Sequence, residues 1–173
     1  NLYQSFSNLI LYLNEERKDR EEYIKNIHHS QEDLWPFGIS GDLPIVLLVI
    51  DKDEDMDILR QVVNMHYYWK ILGLKSDLII YNEEASSYEE PLQKSIITYL
   101  KNSLQKDNLN KNGGVFIHNK STMNEDILNF LKGIASLYIN SNNGALMEQF
   151  SNNINDRRKN YIRHKELMDE EIS

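Results

Sequence analysis

Two hydrophobic patterns alternate along this chain. Short uninterrupted apolar runs, typical of strands buried on both faces, occur at 43–50, 77–81, 114–118 and 137–140. Between them, apolar residues recur every three or four positions, which indicates amphipathic helices over 57–72, 91–104, 124–134 and 144–154. Strand and helix therefore alternate four times. This order predicts a parallel sheet whose strands are joined by right-handed helical crossovers.

Residues with strong positional preferences mark the helix ends. Gly73 is placed to end the first helix, Pro91 suits the first turn of the second, and Asn124 can cap the third. We therefore expect an α/β fold, a three-layer Rossmann-like or flavodoxin-like sandwich with a four-stranded, mainly parallel sheet. Both 3-2-1-4 and 2-1-3-4 are possible strand orders.

The chain divides into three regions by pattern. Residues 1–33 predict an N-terminal helical segment with one apolar face, residues 34–154 the α/β domain, and residues 155–173 a charged helical extension. Within the domain, the segment 34–42 contains one proline and two glycines and is predicted to be a loop.

Composition narrows the classes of function. The chain has 173 residues, no cysteine and a formal net charge of −8, which argues against disulfides, thiolate chemistry and a nucleic-acid surface. Its longest apolar run is only 43–50, too short to cross a bilayer, so we expect no direct membrane insertion. The sequence shows no secretion signal and does not begin with Met, so we expect a cytoplasmic piece of a longer protein.

Candidate binding residues follow the predicted strands. Ligands of parallel α/β sheets bind at the carboxyl ends of the strands. The first three ends offer polar side chains that we take as weak candidates for ligand binding: Asp51, Asn82, Glu83, His118 and Asn119. Ser141 and Asn142 follow the fourth strand. The alternative interpretation is that these residues cap helices and hold turns, which Asp, Asn and Ser do well.

The sequence carries no recognisable signature for a cofactor, a metal or a catalytic nucleophile. The first strand is followed by the anionic run 51–55 rather than a glycine-rich phosphate loop. That acidic run has Met56 and Val62 where a calcium-binding EF-hand loop needs Gly and Glu. His66, within the first helix, is interpreted as a packing residue. We therefore predict no catalytic residue, no metal site and no cofactor.

One segment carries a family resemblance. The sequence LWPFGISGDLPIVL at 34–47 resembles part of the C-terminal, cellobiose-phosphorylase-like half of cyclic β-1,2-glucan synthases. The resemblance continues through HYYW at 66–69, DLIIYNE at 77–83, GGVF at 113–116 and GALMEQ at 144–149, over roughly residues 1–150.

The resemblance implies a very large parent enzyme that makes or phosphorolyses β-glucan and is associated with the inner membrane. No residue of this chain matches the family's catalytic acid or its glycosyltransferase aspartates. The first hypothesis is therefore a non-catalytic structural or linking module whose partners are the parent's other domains. The alternative is a module that holds a β-glucan at the carboxyl ends of the strands, and an independent small enzyme is the third.

Aromatic residues bear on both hypotheses. Trp35, Tyr67 and Trp69 are of the type that stacks on sugar rings, but we interpret them as core packing. If the chain belongs to a larger enzyme, the segment 35–37 or the N-terminal helix should present an apolar patch that other domains normally cover.

Overall fold

The computed structural model describes residues 29–85, 87–151 and 162–163. The predicted N-terminal helix and nearly all of the charged extension lie outside these residues, so their structure stays a prediction. Among the described residues, no helix combines the length and the apolar character needed to cross a bilayer.

A four-stranded parallel sheet forms the centre of the domain. Its strands, in chain order, are β1 (Ile45–Ile50), β2 (Asp77–Asn82), β3 (Val115–Asn119) and β4 (Leu137–Asn140). In space they lie in the order β3-β2-β1-β4, and every neighbouring pair is parallel. The predicted α/β class is confirmed, and of the two strand orders left open by the sequence the structure has 3-2-1-4.

Helices cover both faces of this sheet. They are α1 (Met56–Ile71), α2 (Pro91–Lys101), α3 (Glu125–Ile134) and a helical stretch at 146–151, which we call α4. The core between sheet and helices falls into two clusters. One contains apolar residues of α1, α2 and α4, and the other contains those of α3 and of the segment 34–39. These clusters make the fold a three-layer sandwich.

Strand alternation decides which side chains enter each cluster. In β1, Val46, Leu48 and Ile50 face α1 and α2, whereas Leu47 and Val49 face α3. All six residues of β1 are buried, as are all six of β2. Uninterrupted apolar runs are therefore the correct signature of these strands, because both of their faces are covered.

The segment 34–42 is not the irregular loop that we expected throughout. Its first part belongs to a 3-10 helix, Gln31–Phe37. This helix is stabilised at its start by Ser30, whose backbone amide donates to the Asp33 carboxylate (2.8 Å), and it ends at Gly38, whose φ is 79°. Ser30 and Asp33, which start the helix, precede Trp35 and Pro36. The sequence prediction considered only the proline and the glycines, which interrupt regular structure.

Gly114, which directly precedes β3, lies against the backbone of Asn108 and allows a test of this close contact. A Cβ atom at Gly114 would overlap the backbone carbonyl of Asn108, whereas a Cβ at Gly133 in α3 meets nothing within 4 Å. We expect Gly114→Ala to destabilise the fold by about 2–3 kcal/mol, since a backbone neighbour must move. Gly133→Ala should be neutral or stabilising by up to about 1 kcal/mol. Urea unfolding of both variants measures this difference, and equal stabilities would contradict it.

Candidate functional site

The sheet reverses its winding direction between β1 and β4. The chain moves from β1 to β2 to β3 and then crosses back to β4 on the other side of β1. In open α/β sheets, the crevice at the carboxyl ends of two such strands is the usual ligand site. The residues next to it are Asp51 and Asp55, after β1, and Ser141 and Asn142, after β4.

Hydrogen bonds between the two loops close this crevice. The Ser141 hydroxyl donates to Asp55 Oδ2 (2.7 Å), and the Asn142 side-chain amide donates to Asp51 Oδ2 (3.0 Å). The backbone amides of Asp51 and Lys52 also donate to Asp55 Oδ2, at 3.1 and 3.3 Å. Asp55 is 7% exposed. The place where a ligand would enter is therefore crossed by the protein's own side chains.

The pKa of the Asp55 carboxyl reflects this arrangement. Burial alone would raise the pKa, but the hydrogen bonds from the Ser141 hydroxyl and the Asp51 and Lys52 amides outweigh it and hold the pKa below its usual value. Asp55 is therefore an ionised acceptor that joins the two loops. The sequence pointed to Asp51 and missed Asp55, because nothing local distinguishes one acid of the 51–57 run from another.

The ends of β2 and β3 lie side by side, with Asn82 and Asn119 in register. Asn82 receives a hydrogen bond from the Glu84 amide (2.8 Å) and donates to the Gln93 side chain (3.0 Å). Asn119 Oδ1 accepts from the Ser121 amide (3.0 Å) in a turn that its own side chain organises. Between these groups lies a cavity of about 40 Å³, which is room for about one water-sized molecule.

The other two candidate residues point elsewhere. His118 lies on the opposite face of β3 from Asn119's cavity: its Nε2 lies 3.2 Å from the Phe37 carbonyl oxygen, and its ring meets the Phe37 ring edge-on. Burial lowers its pKa, opposed by the Phe37 carbonyl. The Glu83 amide donates to the Ile50 carbonyl (2.7 Å), and the acidic residues that line the small cavity are Glu84 and Glu90. Of the five candidates, Asn82 and Asn119 line this small cavity together.

A larger, open cavity of about 630 Å³ lies between the start of α1 and the exposed side of α2. Its lining carries charges of both signs. Arg60 Nη1 lies 2.9 Å from Asp57 Oδ1 on α1, and Lys94 lines the cavity from α2. Arg60 also lies 5.8 Å from the centre of the Tyr99 ring. In the described part of the chain, the His, Asp and Glu side chains nowhere gather in groups of three that could hold a metal ion.

His66 is a core residue held by two hydrogen bonds. Its Nε2 lies 2.7 Å from the Ser76 carbonyl oxygen, and its Nδ1 lies 2.9 Å from the Gln105 side-chain nitrogen. This pairing requires a neutral ring that donates from Nε2 and accepts at Nδ1. Burial lowers the pKa of His66 to about 4, only partly opposed by the Ser76 carbonyl.

The two tryptophans lie in opposite environments. Trp69 is wholly buried between α1 and the sheet, as expected for a packing residue. Trp35 is 59% exposed, so the interpretation of this side chain as core packing was wrong. The neighbouring Pro36 is exposed and Phe37 is half-buried, so an apolar surface is present at 35–37 as predicted.

Comparison with known proteins supports the family resemblance. Over 100 residues the chain is 34% identical to cyclic beta-(1,2)-glucan synthase NdvB of Rhizobium meliloti (strain 1021). The match covers 58% of this chain, less than the roughly 150 residues expected from the motifs, and spans only 4% of the rhizobial protein. No protein-family model matches the chain.

Removing the Asp55 carboxylate tests the link between the β1 and β4 loops. We expect Asp55→Ala to lower the free energy of unfolding by about 1–2 kcal/mol, because it removes the charged acceptor of hydrogen bonds from two backbone amides and a hydroxyl that are partly buried. Asp53→Ala, at an exposed position in the same run, is the matched control and should change stability by less than about 0.5 kcal/mol. Urea denaturation reports both values, and similar losses for the two variants would contradict the assignment.

The buried imidazole predicts a specific pH dependence. Unfolded, His66 takes up a proton below about pH 6.5, and folded only below about pH 4. Acidification from pH 6.5 to 4 therefore favours unfolding, by up to about 3 kcal/mol, and the stability is fully present above pH 6.5. Unfolding free energies at pH 7.5 and 4.5 measure the loss. The loss should shrink most in His66→Gln and less in His118→Gln, because burial lowers the pKa of His118 as well. A His66 ring that titrates near pH 6.5 by NMR would contradict the prediction.

Proposed function

We propose that this chain is a non-catalytic α/β module of a larger enzyme that makes or processes β-1,2-glucan. The observation that carries the proposal is the 34% identity, over 100 residues, with a segment of a cyclic β-(1,2)-glucan synthase. A segment amounting to 4% of that protein has room for one folding unit of a much larger assembly. The proposed partners of the module are accordingly the other domains of its parent.

The geometry of the carboxyl edge supports a non-catalytic role. Glycoside hydrolysis uses two carboxylic groups, one on either side of the bond that is broken. Here Asp51 and Asp55 each accept a hydrogen bond from a side chain of the loop after β4. A carboxylate that acted on a sugar at this edge would have to give up one of these hydrogen bonds.

The polar side chains at the other strand ends are also used locally. Asn82 and Glu84 hold the chain at the start of α2, where the Leu92 amide donates to the Glu84 carboxylate at 3.2 Å. Asn119 forms its own turn. These hydrogen bonds favour the structural interpretation of the candidates over the β-glucan site that we considered at the carboxyl ends of the strands.

A segment exchange tests this proposal. The matching segment of the rhizobial synthase is replaced by that of this chain, and cyclic glucan is measured in cells. We expect the hybrid to make glucan, and to keep making it with Asp51→Asn or His118→Gln. Gly114→Ala in the hybrid should abolish production, because it disrupts the fold of the module.

The purified chain supplies the complementary measurement. Incubated with UDP-glucose, or with β-1,2-glucan and phosphate, it should release no product. Turnover by the chain alone would refute the non-catalytic role. A correctly folded hybrid that loses glucan synthesis on His118→Gln would do so as well.

A further inference from the structure

The chain contains two Asn-Gly pairs, Asn112–Gly113 and Asn143–Gly144. In such a pair the backbone nitrogen of the glycine can attack the side-chain carbonyl carbon of the asparagine, because glycine has no Cβ to hinder the approach. The two reacting groups are only a few bonds apart, so the first step needs no second molecule. The pairs are alike in this local chemistry, but the structure places them in different surroundings.

Hydrogen bonds restrain both halves of the pair Asn112–Gly113. Gly113 is buried, and its amide donates to the buried Asp77 carboxylate at 2.6 Å. The side-chain oxygen of Asn112 accepts from the Ser40 hydroxyl at 3.1 Å. Attack by the Gly113 nitrogen would break its hydrogen bond and leave a carboxylate of the core without this donor. The fold therefore opposes reaction at this pair.

The pair Asn143–Gly144 has neither restraint. Both residues are exposed, at the end of the short 3-10 turn Ser141–Asn143 that follows β4. Within the described part of the chain, neither the Asn143 side chain nor the Gly144 amide has a hydrogen-bond partner. The φ of Gly144 is 93°, in the region that favours glycine. Both reacting groups are therefore free to approach each other.

The reaction at this pair needs water as its only other reactant. The Gly144 nitrogen loses its proton and forms a bond to Cγ of Asn143, the bond from Cγ to the side-chain nitrogen breaks, and ammonia leaves with that proton. Water then opens the resulting succinimide ring at one of its two carbonyl carbons. The product at position 143 is aspartate or isoaspartate, and either one carries a carboxylate where the asparagine was neutral.

The modified residue lies between two anchored parts of the chain. The two residues before Asn143 donate side-chain hydrogen bonds to Asp51 and Asp55. The Gly144 carbonyl, which follows, accepts from the Gln149 side chain of α4 at 2.9 Å. In isoaspartate the main chain runs through the side-chain carbons, which inserts one extra backbone carbon between these anchors. The hydrogen bonds on the two sides then cannot all keep their present geometry.

We propose that Asn143–Gly144 is a site of spontaneous deamidation, and that its isoaspartate product loosens the hydrogen bonds between the loops after β1 and β4. The reacting groups belong to the chain itself, so the modification accumulates with the age of the protein and needs no modifying enzyme. It acts where the loop after β4 meets Asp51 and Asp55. This inference is independent of the function proposed above.

Incubation of the purified, folded chain at mildly alkaline pH tests the site, with peptide mass spectrometry and isoaspartate detection as readouts. Asn143 should deamidate at least about tenfold faster than Asn112, because the fold restrains only the second pair. In urea the fold restrains neither pair, and the two rates should agree to within about twofold. The unfolded chain is thus the matched control, since it compares the same two peptides.

Hydrogen exchange of the Asp51 and Lys52 amides, which donate to Asp55, reports on the two loops. Exchange should be several-fold faster in the isoaspartate form than in the unmodified chain. Freshly purified Asn143→Asp carries the new charge without the extra backbone carbon and should change exchange less. Asn143→Gln should block the reaction, because its longer side chain cyclises more slowly, and should keep wild-type exchange.

Three outcomes would overturn the proposal. The first is equal deamidation of Asn112 and Asn143 in the folded chain, or no conversion of Asn143 there while the chain in urea reacts. The second is a preference for Asn143 that persists unchanged in urea, which would assign the difference to neighbouring residues rather than to the fold. The third is unchanged exchange of the Asp51 and Lys52 amides in the isoaspartate form, which would remove the effect on the two loops.

Discussion

The burial of β1 on both faces is the constraint from which the rest of the architecture follows. Its six residues are all shielded from solvent, and apolar side chains leave it in both directions. A strand of this kind is stable only when a layer of helices covers each face. That requirement places α1 and α2 on one side and α3 with the 31–39 segment on the other, and it brings the carboxyl ends of β1 and β4 together.

The point where winding reverses is usually open to ligands, but in this chain it is occupied by the chain itself. Asp55 accepts three hydrogen bonds, one of them from Ser141 across the gap, and Asn142 reaches Asp51. An ionised carboxylate in this position joins two loops that are far apart in sequence. The side chains at this edge thus hold the loops after β1 and β4 together, and the exposed Trp35 lies elsewhere, on the 3-10 segment.

The sequence predicted the sheet and the helices that cover it, because the spacing of apolar residues reflects which positions are buried. The four strands and the start of α2 at Pro91 follow from local preferences that packing reinforces. The cap at Asn124 is likewise present, with the Ile127 amide donating to its side chain at 3.0 Å.

The site was harder to predict from sequence. Ser141, which donates to Asp55, lies 86 positions away from it, and Phe37, which pairs with His118, lies 81 positions away. No local pattern encodes such contacts. The position of Trp35 was also predicted wrongly. A large aromatic side chain suggests burial, but in the segment that ends at Gly38 it is Leu34 that enters the core, and the indole stays outside.

One contact near the end of the domain sets how it responds to mechanical load. The Gln149 side chain donates to the Asn140 and Gly144 carbonyls, at 2.7 and 2.9 Å, and accepts from the Asn140 amide at 3.1 Å. It ties α4 to the end of β4, the shortest of the four strands, which pairs with β1. Tension applied from the carboxyl side of α4 would load this contact and the four-residue edge strand behind it, so we expect the sheet to give way first at β4.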